Sequence, residues 1–183
     1  MPIRVEVALR KAVIDTQGNK TAHKIHGELG LHVDQVRIVR VYTVEGLTAA
    51  QADQAIEAGA LHDPVLHTAQ TTPAASDFDW LIEVGFRPGV TDNEGRTARE
   101  TLRTVLGLDK DAKIAVYTST QYLISGKLDR HQVEHIAKDL LATELIQRFQ
   151  ISDRQSWAAN PGFPARTAAV TGEASDTVET VDL

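Results

Sequence analysis

Arg4 to Leu31 reads RVEVALRKAVIDTQGNKTAHKIHGELGL, and Leu81 to Leu108 reads LIEVGFRPGVTDNEGRTARETLRTVLGL. Setting Asp15 over Asp92 fixes an offset of 92 − 15 = 77. At that offset, without a gap, Glu6/Glu83, Val7/Val84, Arg10/Arg87, Val13/Val90, Gly18/Gly95, Leu29/Leu106, Gly30/Gly107 and Leu31/Leu108 are identical. Self-similarity of this kind means that one small folding unit occurs twice, and it sets the frame for every other motif.

Working outward, each copy opens on a strand. Ile3, Val5, Val7 and Leu9 alternate with Arg4, Glu6 and Arg10, and Leu81 to Phe86 repeat the pattern, which has the period of a half-buried strand. Each strand runs through a turn to Asp15 or Asp92. A carboxylate there can accept the free N–H groups of a first helical turn, so both are expected helix caps, with Gly18 and Gly95 completing the turn. The helices carry Ala22, Ile25 and Leu29, or Ala98, Leu102, Val105 and Leu106, at helical spacing, and both stop at Leu-Gly-Leu. Second strands are expected at Val36–Val44 and at Lys113–Thr118 continuing through Ile124. The shared Val-Tyr-Thr at 41–43 and 116–118 aligns them if copy two carries a two-residue deletion. Second helices follow at Thr48–Ala60 and Asp129–Ala142, then closing strands at Pro64–Leu66 and Leu145–Phe149.

The expected fold class is therefore α+β: two tandem β-α-β-α-β units of ferredoxin-like plan, with mostly antiparallel sheet and the helices on one face. The expected organisation is repeat one over 1–67, a polar linker over 68–77, repeat two over 78–151, and an extended or disordered tail over 152–183 anchored by Trp157 and Phe163. A unit of roughly 75 residues buries little surface alone, so the copies are expected to share a core.

Composition narrows the function classes. The chain has 183 residues, a net charge of −6 and no cysteine. Without a basic stripe, nucleic acid and anionic membrane are poor partners. The lack of cysteine removes disulfides, thiolate metal sites and cysteine nucleophiles, and suits the cytoplasm. The start MPIRVEVALRK reads as a strand rather than a signal peptide.

Several local patterns invite chemistry. His131-Gln132-Val133-Glu134-His135 has the H-x-x-E-H form of an inverted zinc-protease motif. Val133, Ile136, Ala137 and Leu140 define the apolar stripe of that helix, however, so His131 and His135 fall on the opposite side, in solvent or facing a partner. The glycines of Gly85–Gly89 and Asp92–Gly95 sit at a strand-to-helix turn, but neither a P-loop nor a dinucleotide fingerprint is present. Asp15 and Asp92 could also be read as paired carboxylates across a pseudo-dyad, although their identical context favours capping. Arg10 and Arg87 recur at strand ends, where they could hold an anion, form surface salt bridges or face a partner. No serine-histidine-acid arrangement has local support. The residues alone assign no catalytic, cofactor-binding or metal-binding side chain.

The order strand, Gly-Val-x-Asp-x-x-Gly, helix, Leu-Gly, strand, helix, strand resembles PurS, the small subunit of phosphoribosylformylglycinamidine synthase. Copy two carries it in Val84–Gly95; copy one carries it at Lys11, Val13, Asp15, Gln17, Gly18 and Asp63-Pro64-Val65, with Lys11-Ala12 in place of the Pro88-Gly89 turn. The tandem form is similar to the N-terminal region of long, fused PurL synthases, and Thr177–Leu183 is similar to the linker that leads into the synthetase body. The resemblance implies a C–N ligase complex of purine biosynthesis that uses ATP and glutamine to amidate formylglycinamide ribonucleotide. In it, this chain would be a non-catalytic bridge between a PurL-type synthetase and a PurQ-type glutaminase, shielding ammonia transfer. ATP and Mg would sit on the partner domain, with no cofactor here. A homo-oligomer built like the pseudo-dimer is a further expectation. An alternative of another class is a tandem module, like the ACT domains, that binds a small regulatory ligand where the copies meet.

Overall fold

The computed structural model describes residues 1–164. The first repeat forms β1 (Ile3–Leu9), α1 (Thr16–Leu29), β2 (Gln35–Glu45), α2 (Ala49–Glu57) and β3 (His67–Gln70). The second forms β4 (Trp80–Phe86), α3 (Asn93–Leu106), β5 (Ala115–Ser125), α4 (Arg130–Ile136, extended by a π-helical turn over Ala137–Leu141) and β6 (Gln147–Asp153); α5 (Arg154–Ala159) follows. The chain is thus α+β. Among the described residues the six strands make one antiparallel sheet in the order β3-β1-β2-β5-β4-β6.

The repeats join along β2 and β5, which pair from Gln35↔Ser125 to Glu45↔Ala115. The register corrects the expected alignment. Ile38 donates its N–H to Asp15, and Thr118 donates its N–H to Asp92, so positions 38 and 118 are equivalent. Their separation, 118 − 38 = 80, exceeds the 77 between the two aspartates. Copy two therefore has three extra residues before β5, not a two-residue deletion, and Val41 corresponds to Gln121 rather than Val116. The Val-Tyr-Thr match is a coincidence of strand-forming residues. With the true register, Arg40 faces its own counterpart Thr120, and the pseudo-dyad passes between them. There Arg40 donates to the Thr120 hydroxyl at 3.0 Å and pairs with Glu94 at 3.2 Å.

The closing strands also lie later than expected. Pro64–Leu66 belongs to a turn and β3 begins at His67, so the strand occupies the start of the segment read as linker. In copy two, Leu145 and Ile146 form the matching turn and β6 runs to Asp153. The segment read as a tail from 152 onward instead begins inside β6 and continues as α5, whose Trp157 is buried. Residues 165–183 of that tail lie outside the described residues.

The cores cross the repeat boundary. One cluster combines Val5 and Val7 of β1 and Ala55 of α2 with Ala98 and Leu102 of α3. Another combines Ile25 of α1 with Ile82 and Val84 of β4 and Val133 and Ile136 of α4. Each repeat lends its first helix to the core under the other repeat's first strand. A fully buried Ile or Leu contributes about 1.5–3 kcal/mol, so splitting the repeats would forfeit several such contributions from both halves. Val105, placed by spacing on the buried side of α3, is in fact an exposed position. The opposite face of the sheet holds a third cluster, Val39, Val41, Leu81 and Leu123, covered by Phe78 and Trp157. The rings of these two meet edge to face with centroids 6.0 Å apart, and Trp157 meets Phe163 at 5.3 Å.

Candidate functional site

The two aspartates do more than end a loop. Asp15 accepts the Gly18 N–H at 2.6 Å with one oxygen and the Ile38 N–H at 2.8 Å with the other. Asp92 accepts from Gly95 at 2.7 Å and from Thr118 at 2.6 Å in the same way. Each carboxylate thereby caps a helix and pins it to the second strand of its repeat. The caps sit one per repeat, each tied to its own helix, rather than meeting as a pair across the dyad. Gly18 is required by space as well. A Cβ there would lie 2.1 Å from the Val36 carbonyl oxygen, and one at Gly95 would lie 2.4 Å from that of Val116.

Arg10 and Arg87 form no salt bridge with the described residues; both brace main-chain carbonyls. Arg10 donates to the Pro64 carbonyl at 2.8 Å, and Arg87 donates to the Glu144 carbonyl at 2.6 Å and to that of Gln147 at 3.1 Å. These are equivalent contacts, each bracing the turn that leads into a closing strand. The braced turns expose apolar side chains: Val65 is 77% exposed and Leu66 accompanies it, while Leu145 is 89% exposed beside Ile146. Both repeats therefore project an apolar pair from the same place.

His131 and His135 lie on the exposed side of α4, opposite Val133 and Ile136. The His135 ring nitrogen Nδ1 lies 2.6 Å from Asp139 one helical turn on. Among the described residues no three His, Asp or Glu side chains gather in a metal-binding group.

A buried charged cluster lies on the sheet face away from α1–α4. Alternation along β1 makes Arg4 and Glu6 look like solvent-facing residues, but Glu6 is 2% exposed and Glu83 6%. The Arg4 guanidinium forks onto both oxygens of Glu83, at 3.0 and 2.8 Å, and reaches Glu6 at 3.1 Å. Ser119 donates to Glu83 at 2.8 Å, Gln121 to Glu83 at 2.9 Å, and the Ala74 N–H to Glu6 at 2.8 Å. Burial works against the Arg4 charge, yet the hydrogen bonds and charges of Glu83 and Glu6 outweigh it and raise its pKa. Although the glutamates are pseudo-dyad mates, their setting is not symmetric. The counterparts of Arg4, Ser119 and Gln121 are Leu81, Val39 and Val41, all in the apolar cluster under Trp157. The legible sign in the sequence was that Glu6 and Glu83 are identical, a demanding residue for two strand positions to share by chance.

On the helix side of the dyad, burial and the Glu94 carboxylate push the Tyr42 phenol up to about 12, against a smaller opposing effect of Arg40. The unfolded phenol loses its proton near 10.0. The resulting stabilisation is complete below that pH and is lost as pH rises from there through about 12. The Tyr42 ring signal, assigned through Tyr42→Phe, should titrate near 12 in nuclear magnetic resonance spectra of the folded chain; a Tyr42 ring that titrates near 10.0 would refute the assignment.

No helix among the described residues is long and apolar enough to cross a membrane. No curated protein matches the chain. Residues 2–72 match the PurS family, described as phosphoribosylformylglycinamidine (FGAM) synthase. That span is less than half of the chain and takes in all of β1 to β3; the second repeat, of the same topology, lies beyond it. The first repeat is accordingly a PurS-like domain, of a family that serves FGAM synthase in purine biosynthesis.

Proposed function

We infer that the chain is a bridging component of FGAM synthase that performs no chemistry itself. It docks a PurL-type synthetase to a PurQ-type glutaminase in the cytoplasm and keeps ammonia out of bulk water between them. The observation that carries this reading is the PurS match over a complete β-α-β-α-β unit, followed by a second unit of the same plan. The exposed Val65-Leu66 and Leu145-Ile146 turns support it. They offer two apolar contacts of similar shape, one on each repeat, as a protein with two docking partners can use. Ammonia at neutral pH is mostly ammonium, a poor nucleophile, so aligning the two sites has a direct chemical benefit.

The test is reconstituted synthase activity with the whole chain present or omitted, using glutamine or ammonium chloride as nitrogen source. Omission should abolish glutamine-dependent turnover and leave most ammonia-dependent turnover. The double variant Val65→Asp/Leu145→Asp should reproduce that split with an unchanged melting temperature, because both side chains are solvent-exposed. Equal turnover from both nitrogen sources in the absence of the chain would exclude the bridging role.

A further inference from the structure

Two pockets open on the sheet face away from α1–α4, and they are pseudo-dyad mates. One is lined by Arg37, Val39 and Thr68, the other by their counterparts Tyr117, Ser119 and Arg148. The first is an open cleft of about 560 Å³, within the size range of small-molecule sites. Its floor is apolar, made by Ala8, Val39 and Leu123. Its rim gathers Arg10, Lys11 and Arg37, with Asp77 the single acidic residue.

This concentration of positive charge runs against the chain's net charge of −6. Arg10 and Arg37 donate to the main-chain carbonyls of Pro64 and Leu9, and neither meets a carboxylate among the described residues. Lys11 reaches Asp77 at 3.6 Å, with both side chains in solvent. Asp77 itself holds a left-handed backbone (φ 58°) in the segment joining the repeats, which also supplies Ala74 and Ser76 to the cleft wall. Backbone in a sparsely populated region beside a pocket is a common mark of a binding loop. The formal balance is three cations against one anion, an excess of two positive charges. A phosphate monoester carries close to two negative charges and three acceptor oxygens at neutral pH, and guanidinium forks suit such a group. The Thr68 and Ser76 side chains also line the wall, their hydroxyls donating to the Ala8 carbonyl at 3.5 Å and to Asp77 at 3.3 Å.

We propose that the cleft between β1, β2 and the segment joining the repeats binds a small organic phosphate monoester. The phosphate lies on Arg10, Lys11 and Arg37, and the apolar body of the ligand lies on Ala8, Val39 and Leu123. The second pocket does not share this charge: Tyr117 replaces Arg37, Pro88 replaces Lys11, and its two cations, Arg4 and Arg148, are balanced by Glu83 and Asp92. The site is therefore single despite the duplication.

The experiment is a nuclear magnetic resonance titration of the whole chain with phenyl phosphate, inorganic phosphate and phenol. Phenyl phosphate should give saturable shifts at the amides of Ala8, Thr68, Ala74 and Ser76. Inorganic phosphate should bind more weakly at the same amides, and phenol should leave them unmoved. Lys11→Glu, at a position in solvent, and Arg37→Gln should each weaken phenyl phosphate by about tenfold, the worth of one charge-assisted contact. Shifts that fail to saturate, that centre on Tyr117 and Arg148, or that persist undiminished in Lys11→Glu would overturn the proposal. Equal affinity for phenyl phosphate and inorganic phosphate would overturn the role of the apolar floor.

Discussion

Arg4→Ala is expected to destabilise the chain by about 3–5 kcal/mol, the usual consequence of stranding a buried charge. Glu6 and Glu83 would remain under the linker and the sheet with no cation between them, and three donors could not replace it. Glu6→Gln tests the same balance from the other side. It leaves one guanidinium forked onto one carboxylate and keeps the shape of the side chain, but its amide nitrogen must face the donors of Arg4 and Gln121 or the Ala74 N–H, so its cost should be about 1–3 kcal/mol, below that of Arg4→Ala. Urea unfolding of both variants gives the comparison directly, provided the slopes match. A loss below about 1 kcal/mol for Arg4→Ala would mean that the carboxylates are solvated well enough without it.

Gly18→Ala should cost about 2–3 kcal/mol, whereas Gly27→Ala in the same helix should stabilise by about 0.5–1 kcal/mol. Alanine is the better helix former at both places, so propensity alone predicts two gains. Space decides otherwise. Around a Cβ at Gly27 no heavy atom comes within 4 Å, but at Gly18 the Val36 carbonyl oxygen would lie at 2.1 Å. That atom belongs to the backbone of β2 and cannot rotate away, so α1 must lift from the sheet and the Asp15 bonds to Gly18 and Ile38 must lengthen. Thermal unfolding of the pair, each against the parent chain, checks both signs. Stabilisation by Gly18→Ala would show that the helix shifts freely on β2.

The parts of the fold that were legible share one property: their signal is local. Asp15 and Gly18 lie three residues apart and their counterparts repeat the spacing, so the turn could be read from either copy. The strand register was not local. Whether Val41 matches Val116 or Gln121 is decided by which N–H reaches the aspartate in the preceding turn, across the whole of α1 or α3. The closing strands were displaced because Val65, Leu66, Leu145 and Ile146 have strand composition yet stand in solvent; an apolar pair on a turn cannot be told from one on a sheet by composition. The roles of Arg10 and Arg87 depend on carbonyls more than fifty residues away in sequence. The burial of Glu6 depends on the segment after β3, which supplies the Ala74 N–H and covers a face that alternation assigns to water.

The pairing of Arg40 with Thr120 across the pseudo-dyad has a genetic consequence. In a true homodimer with this sheet, one gene specifies both halves, so every substitution at such a position happens twice and both clefts change together. Joining the halves in one chain removes that constraint: a codon for Arg37 can be kept while its counterpart becomes Tyr117. The polypeptide link thus converts a symmetric pair of clefts into two independently heritable ones, free to specialise without disturbing the strand pairing that holds them together.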